Sequence, residues 1–153
     1  MRSRREFLKA GGGVAAVLLA AGFLKLDDVH AQEWSKAAFE TKNLEELIKV
    51  LGGSGAAESA DVAIVAPDIA ENGAVVPIGV ASKVDQTEAI VILVEKNPNV
   101  LAAMFQIPEG TLPDLQTRVK MAQTSNVFAL VKAGGKFHYA AKEIKITLGG
   151  CGG

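Results

Sequence analysis

The residue with the most evident chemistry in this chain is Cys151, set in the run Gly149-Gly150-Cys151-Gly152-Gly153. It is the only cysteine among 153 residues, so no internal disulfide can engage it. Four glycines offer no side chain to pack against a core, and they leave the backbone free to take either sign of φ. The segment therefore reads as a mobile arm, 149–153, that displays one sulfur atom. Extended, five residues reach roughly 17 Å. A free cysteine with a structural role sits in packed elements. An unpaired exposed thiol invites mixed disulfides and further oxidation unless it is used. Position 151 is thus expected to hold something covalently through its sulfur.

The surroundings of Cys151 supply no means of activating it. The arm has no histidine and no charged residue. Lys142 and Lys145 lie upstream and read as solvated surface, and His138 reads as a strand residue rather than a general base. An unperturbed thiol is mostly protonated at neutral pH. The chain offers a handle without the machinery of a nucleophilic enzyme, so the expected role is that of a covalent carrier on which partner enzymes act. One cysteine and two histidines cannot assemble a His/Cys metal cluster, and no cofactor or metal is expected. With a net charge of -1 and eight aromatic residues in all, neither a nucleic-acid surface nor a stacking platform for bases or sugars is expected.

The opposite end of the chain carries an address. Ser3-Arg4-Arg5-Glu6-Phe7-Leu8-Lys9 resembles the twin-arginine export motif, with Ser3, Arg4, Arg5, Phe7, Leu8 and Lys9 at its defining places. The apolar stretch from Ala10 to Leu24 is fifteen residues long, short of the roughly 20 that a membrane span needs. Val29-His30-Ala31 suits signal peptidase, with cleavage between Ala31 and Gln32. Residues 1–31 are read as a signal peptide, which puts the mature protein in the periplasm with no membrane segment. They hold five of the basic and three of the acidic residues, leaving 11 against 14 and a net charge of -3. The twin-arginine route carries folded cargo. Without a cofactor motif, a partner subunit acquired before export is the better reason for using it.

What must position the arm is one small domain, 32–148. Trp34 to Leu51 reads as a single helix, with Phe39, Leu44, Leu47, Ile48 and Leu51 largely on one face and Gly52-Gly53 as its stop. The loop 52–59 reads as mobile. Strands are expected over 62–66, 74–84, 89–94, 100–107, 115–122, 127–132, 136–141 and 144–148. Pro77 argues for an edge or a bulge in the second of these. Gly134-Gly135 marks a hairpin, and Ile144, Ile146 and Leu148 alternate inward. Seven or eight short strands suggest a mainly β protein, a β-sandwich with an N-terminal helix, although their spacing alone does not separate a sandwich from a barrel. The apolar runs 89–94 and 100–107 exceed what a small sandwich needs, so one of them is a candidate subunit interface, with core burial the simpler reading.

The ending Ile144-Lys145-Ile146-Thr147-Leu148-Gly149-Gly150-Cys151-Gly152-Gly153, behind a twin-arginine signal, resembles SoxY, the carrier-subunit family of the periplasmic thiosulfate-oxidising (Sox) system. The resemblance implies an immunoglobulin-like β-sandwich. It implies that a haem c-type enzyme joins Cys151 oxidatively to thiosulfate, that a dimanganese hydrolase releases sulfate, and that a molybdenum sulfane dehydrogenase, where present, oxidises the remaining persulfide. It also implies a heterodimer with a SoxZ subunit, which accounts for export in the folded state.

Other readings stay open at this point. A ubiquitin-like sulfur carrier would use the carboxylate of Gly153 as a thiocarboxylate, a chemistry that needs ATP and fits poorly with export. A lipid-anchored module lacks a suitably placed cysteine. A thiol redox protein or copper chaperone would need a second soft ligand or a Cys-x-x-Cys pair. A Cys151-linked dimer is expected under oxidation.

Overall fold

The computed structural model describes residues 36–148; the expected signal peptide and Trp34, like the arm, lie outside them. Among the described residues two short helices precede nine strands; the helices are α1 (Lys36–Phe39) and α2 (Leu44–Val50). The strands are β1 (Ala56–Glu58), β2 (Val62–Val65), β3 (Ile69–Asn72), β4 (Val76–Ser82), β5 (Thr87–Val94), β6 (Leu101–Gln106), β7 (Asp114–Val119), β8 (Ser125–Ala133) and β9 (Lys136–Leu148). The larger sheet has the order β1-β9-β8-β5-β6, with β3 also pairing with β9; the smaller is β2-β4-β7.

Strand β5 shows how the layers stack. Every residue from Ala89 to Val94 is buried, although successive side chains of a strand point to opposite faces. Both faces are therefore covered. Ile90, Ile92 and Val94 enter a core shared with Val62, Val76, Ile78 and Val80 of the smaller sheet. Val91 and Leu93 enter a second cluster with Leu130, Phe137 and the helical residues Ala38, Leu47 and Ile48. The larger sheet is thus the middle layer, with the smaller sheet on one face and the helices on the other. Of the two long apolar runs, 89–94 is spent on these two cores. The run 100–107 supplies β6 at the sheet edge, where Ala102 to Phe105 are half-buried.

Several expectations need correction. The helix expected over 34–51 is broken. Thr41 Oγ1 donates to the Ala38 carbonyl at 2.7 Å, and Asn43 then caps α2 by accepting from the Glu46 amide at 2.8 Å. A side-chain cap defines a new helix start, and Glu46 Oε2 accepts from the Lys42 amide at 2.9 Å to hold the entry. The loop 52–59 is not free along its length, because Ala56 to Glu58 pair in parallel with Phe137 to Tyr139. The strands expected over 136–141 and 144–148 are one strand, β9. Strand β3 was not expected at all.

Pro77 lies in β4, the middle strand of the smaller sheet, opposite Arg118. The ladder with β2 covers only Gly79 to Ser82, so at Pro77 the second flank needs no amide donor. The Gly134-Gly135 hairpin is as expected, with φ of +53° and +75°, the left-handed pair that a two-residue turn requires.

Candidate functional site

Cys151 and the glycines 149, 150, 152 and 153 lie outside the described residues, as do the export motif and Ala31-Gln32. What is described is the mount from which the arm departs, the end of β9. For its first nine residues β9 runs antiparallel to β8, from Lys136 opposite Ala133 to Ile144 opposite Ser125. Ile144 is fully buried in the core between the sheets. At the next residue the neighbour changes. Lys145 donates its amide to the Asp68 carbonyl at 2.9 Å, and β9 continues in parallel with β3, pairing Ile69 with Lys145, Ala70 with Ile146 and Asn72 with Leu148.

Three side chains hold this last stretch. Thr124 Oγ1 accepts from the Ile146 amide at 2.9 Å on the flank where β8 has ended. Thr147 Oγ1 donates to the Glu71 carbonyl at 3.2 Å. Lys142 donates to the Ala66 carbonyl and lies 3.0 Å from the Asp68 carboxylate, tying the β2–β3 connection to β9. Thr124 is itself well placed. In the segment before it, Met121 donates to the Gly73 carbonyl at 2.7 Å. Asn97 grips the same segment twice, donating to the Lys120 carbonyl at 2.7 Å and accepting from the Ala122 amide at 3.0 Å.

The lysines and the histidine near the arm in sequence separate in space. Lys145 is exposed and Lys142 is half-buried in its clasp with Ala66 and Asp68, so Lys142 is a fastening rather than a solvated charge. His138 pairs with Val131 on one side and Ala57 on the other. It lies ten residues before Leu148, about 33 Å along the strand, whereas Cys151 is only about 10 Å of chain beyond it. His138 is thus far from the point where the chain leaves the described residues. Among the described residues no group of three or more His, Cys, Asp or Glu is gathered as a metal site would need, and no helix is long and apolar enough to cross a membrane.

The contribution of β3, Thr124 and Lys142 was missed in the sequence. Asp68-Ile69-Ala70-Glu71-Asn72 has no alternation and little β preference. The fastening residues lie up to 76 positions from their partners, so no local spacing could report them.

Comparison with known proteins bears on the fold and on the arm together. The family model described as "Sulfur oxidation protein SoxY" matches residues 48–151, a span that runs from α2 through Cys151. Among solved structures, the sulfur carrier protein SoxY from Chlorobium limicola f thiosulfatophilum is 36% identical with a TM-score of 0.56, over 62% of this chain and 88% of that one. A structure of the superantigen toxic shock syndrome toxin-1 also aligns, at 14% identity and a TM-score of 0.35 over 55% of this chain and 99% of that one, too weak a likeness to inform the reading. No curated protein matches the chain. With the model spanning well over half the sequence and a mainly β, two-sheet fold shared with a solved member, the chain belongs to the SoxY family.

Proposed function

We propose that this protein carries sulfur intermediates of thiosulfate oxidation on Cys151 and presents them to the enzymes of the Sox system. The observation that carries this reading is the mount: a buried, doubly covered sheet whose last strand hands over directly to a tail of glycines around one thiol. Family membership supports it, because the matched span includes Cys151 and the solved relative is a sulfur carrier protein.

The chemistry balances with partners that bring the catalysts. Oxidative coupling removes two electrons and the thiol proton as Cys151 Sγ bonds to the sulfane sulfur of thiosulfate, giving a cysteine S-thiosulfonate. The electrons go to a haem c-type enzyme. Water then attacks the terminal sulfone in a dimanganese hydrolase. Sulfate leaves and a persulfide remains on Cys151. A sulfane dehydrogenase, where present, oxidises that sulfur. This chain supplies position and a slim approach: four glycines around Cys151 let the sulfur enter a narrow pocket that no other side chain would block. It is a substrate, not a catalyst, in each step. The family places its work among Sox proteins, and a SoxZ-like subunit in a heterodimer, exported in the folded state through Arg4 and Arg5 to the periplasm, completes the reading.

Intact mass spectrometry of protein from cells oxidising thiosulfate tests it. Adducts of added sulfur or thiosulfate on Cys151, lost with reductant, are expected. Cys151→Ser should abolish thiosulfate-dependent sulfate formation and leave the melting temperature unchanged. Modification at the Gly153 carboxylate instead would establish the ubiquitin-like alternative.

A further inference from the structure

The last four described residues of β9 are held differently from the rest of that strand, and the difference falls at the root of the arm. Residues 136–144 lie in a nine-pair ladder with β8, and near their start they are also flanked by β1. Residues 145–148 have three register pairs, all with β3, and on their other flank the Thr124 hydroxyl meets Ile146. Strand β3 is itself lightly packed. Ala70 is buried, but Ile69, Glu71 and Asn72 are exposed. Short elements with few buried side chains and solvent-exposed backbone bonds open at free energies well below that of global unfolding.

The two ends of this stretch are unequal. On the body side Ile144 is wholly buried and Lys142 fastens the foot of β3 through Ala66 and Asp68. On the other side lies Gly149. Opening would therefore start at Leu148 and stop at Ile144, and the foot of β3 would stay with the body.

We propose that β3 is a releasable strap that gives the tether two working lengths. This rests on the carrier reading above and adds to it a stored extension. With the strap paired, the body holds the chain through Leu148, three residues before Cys151 and about 10 Å of chain; with 145–148 released it holds the chain only through Ile144, seven residues before Cys151 and about 24 Å of chain. The short form suits a reactive centre near a partner's surface. The long form suits one at the foot of a deep channel. Thr124 and Thr147 are positioning residues: they set where the arm begins and need not touch the sulfur.

Amide hydrogen exchange followed by NMR on the purified protein with a free thiol tests the strap without any sulfur chemistry. The amides of Lys145 and Ile146 should exchange at least about a hundredfold faster than those of Leu130 and Val131, as a local opening requires. Thr124→Val removes the acceptor for Ile146 and should speed exchange at 145–148 by about threefold to tenfold, the weight of one hydrogen bond, with no change at 127–131. A nitroxide on Cys151 should broaden a wider area of the sheet in that variant than in the wild type. Exchange of 145–148 at the rate of Leu130, acceleration of both regions alike by Thr124→Val, or an unchanged nitroxide footprint would each overturn the strap. The carrier reading fails separately: a Cys151 without sulfur adducts sinks it whatever the strap does, and adducts on a protein whose strap never opens leave a tether of one length.

Discussion

Strand β9 is one element with two kinds of hold. Near its start it lies between β1 and β8, and Phe137 is buried against Ile48 and Leu47 beneath the helices. At its end it lies against β3 alone, with Thr124 replacing a whole strand on the other side. Both β1 and β3 are short parallel additions to the same strand, yet they differ in what backs them. Strand β1 is led in by Gly53, whose Cα sits so close to the core that an added Cβ would lie 2.5 Å from the Phe137 ring and 2.8 Å from Ile48 Cγ2. Strand β3 is led in by a clasp of one lysine, one carboxylate and one carbonyl. Packing holds one end and polar contacts the other.

The comparison breaks if the two ends respond alike to truncation. Ile144→Ala removes a fully buried side chain from the core between the sheets and should cost about 2–5 kcal/mol in denaturant unfolding. Ile146→Ala, only two residues on, removes a half-buried side chain at the edge of the same core and should cost less than half as much. Equal losses would mean that the strapped stretch is as much a part of the core as the ladder is. At the other end, Gly53→Ala forces the Phe137 ring and Ile48 to move and should cost about 1–3 kcal/mol as an overpacking change. Glu71→Ala in β3, at an exposed site, should fall within about 0.5 kcal/mol of wild type.

The parts of this design that were legible in the sequence are those with a period or a composition of their own. The alternation of Ile144 and Ile146 located the inward face of β9, and the Gly134-Gly135 pair located its hairpin. The continuous run Ala89-Ile90-Val91-Ile92-Leu93-Val94 pointed to core burial as the simpler reading, although not to helices covering one of its faces. What was illegible depends on partners distant in the chain. Ala56 to Glu58 are strand only because β9 offers an edge, and Ile69 to Asn72 only because the same flank of β9 is open again beyond β1. The break after Phe39 had a local signal, Asn43 three residues before Glu46, but the apolar spacing from Phe39 to Leu51 runs across it and favours one longer helix.

The finest distinction is within the clasp itself. Lys142 both pairs with Asp68 and donates to the Ala66 carbonyl, and the two contacts respond differently to salt. Its side chain is 30% exposed and that of Asp68 is 89% exposed, so the ionic part is screened and worth about 0–1 kcal/mol. The bond to a backbone carbonyl is insensitive to screening. Asp68→Asn keeps the second contact and should change the exchange of the Lys145 amide by no more than raising salt to about 1 M does in the wild type, where the screening length falls to about 3 Å. Lys142→Met loses both contacts and should speed that exchange further, with no remaining dependence on salt. If the two variants behave identically, the foot of β3 is fastened by charge alone, and the strap should loosen in any medium of high ionic strength. If only Lys142→Met has an effect, the carbonyl of Ala66 is the true anchor, and the length of the tether is independent of the salt around it.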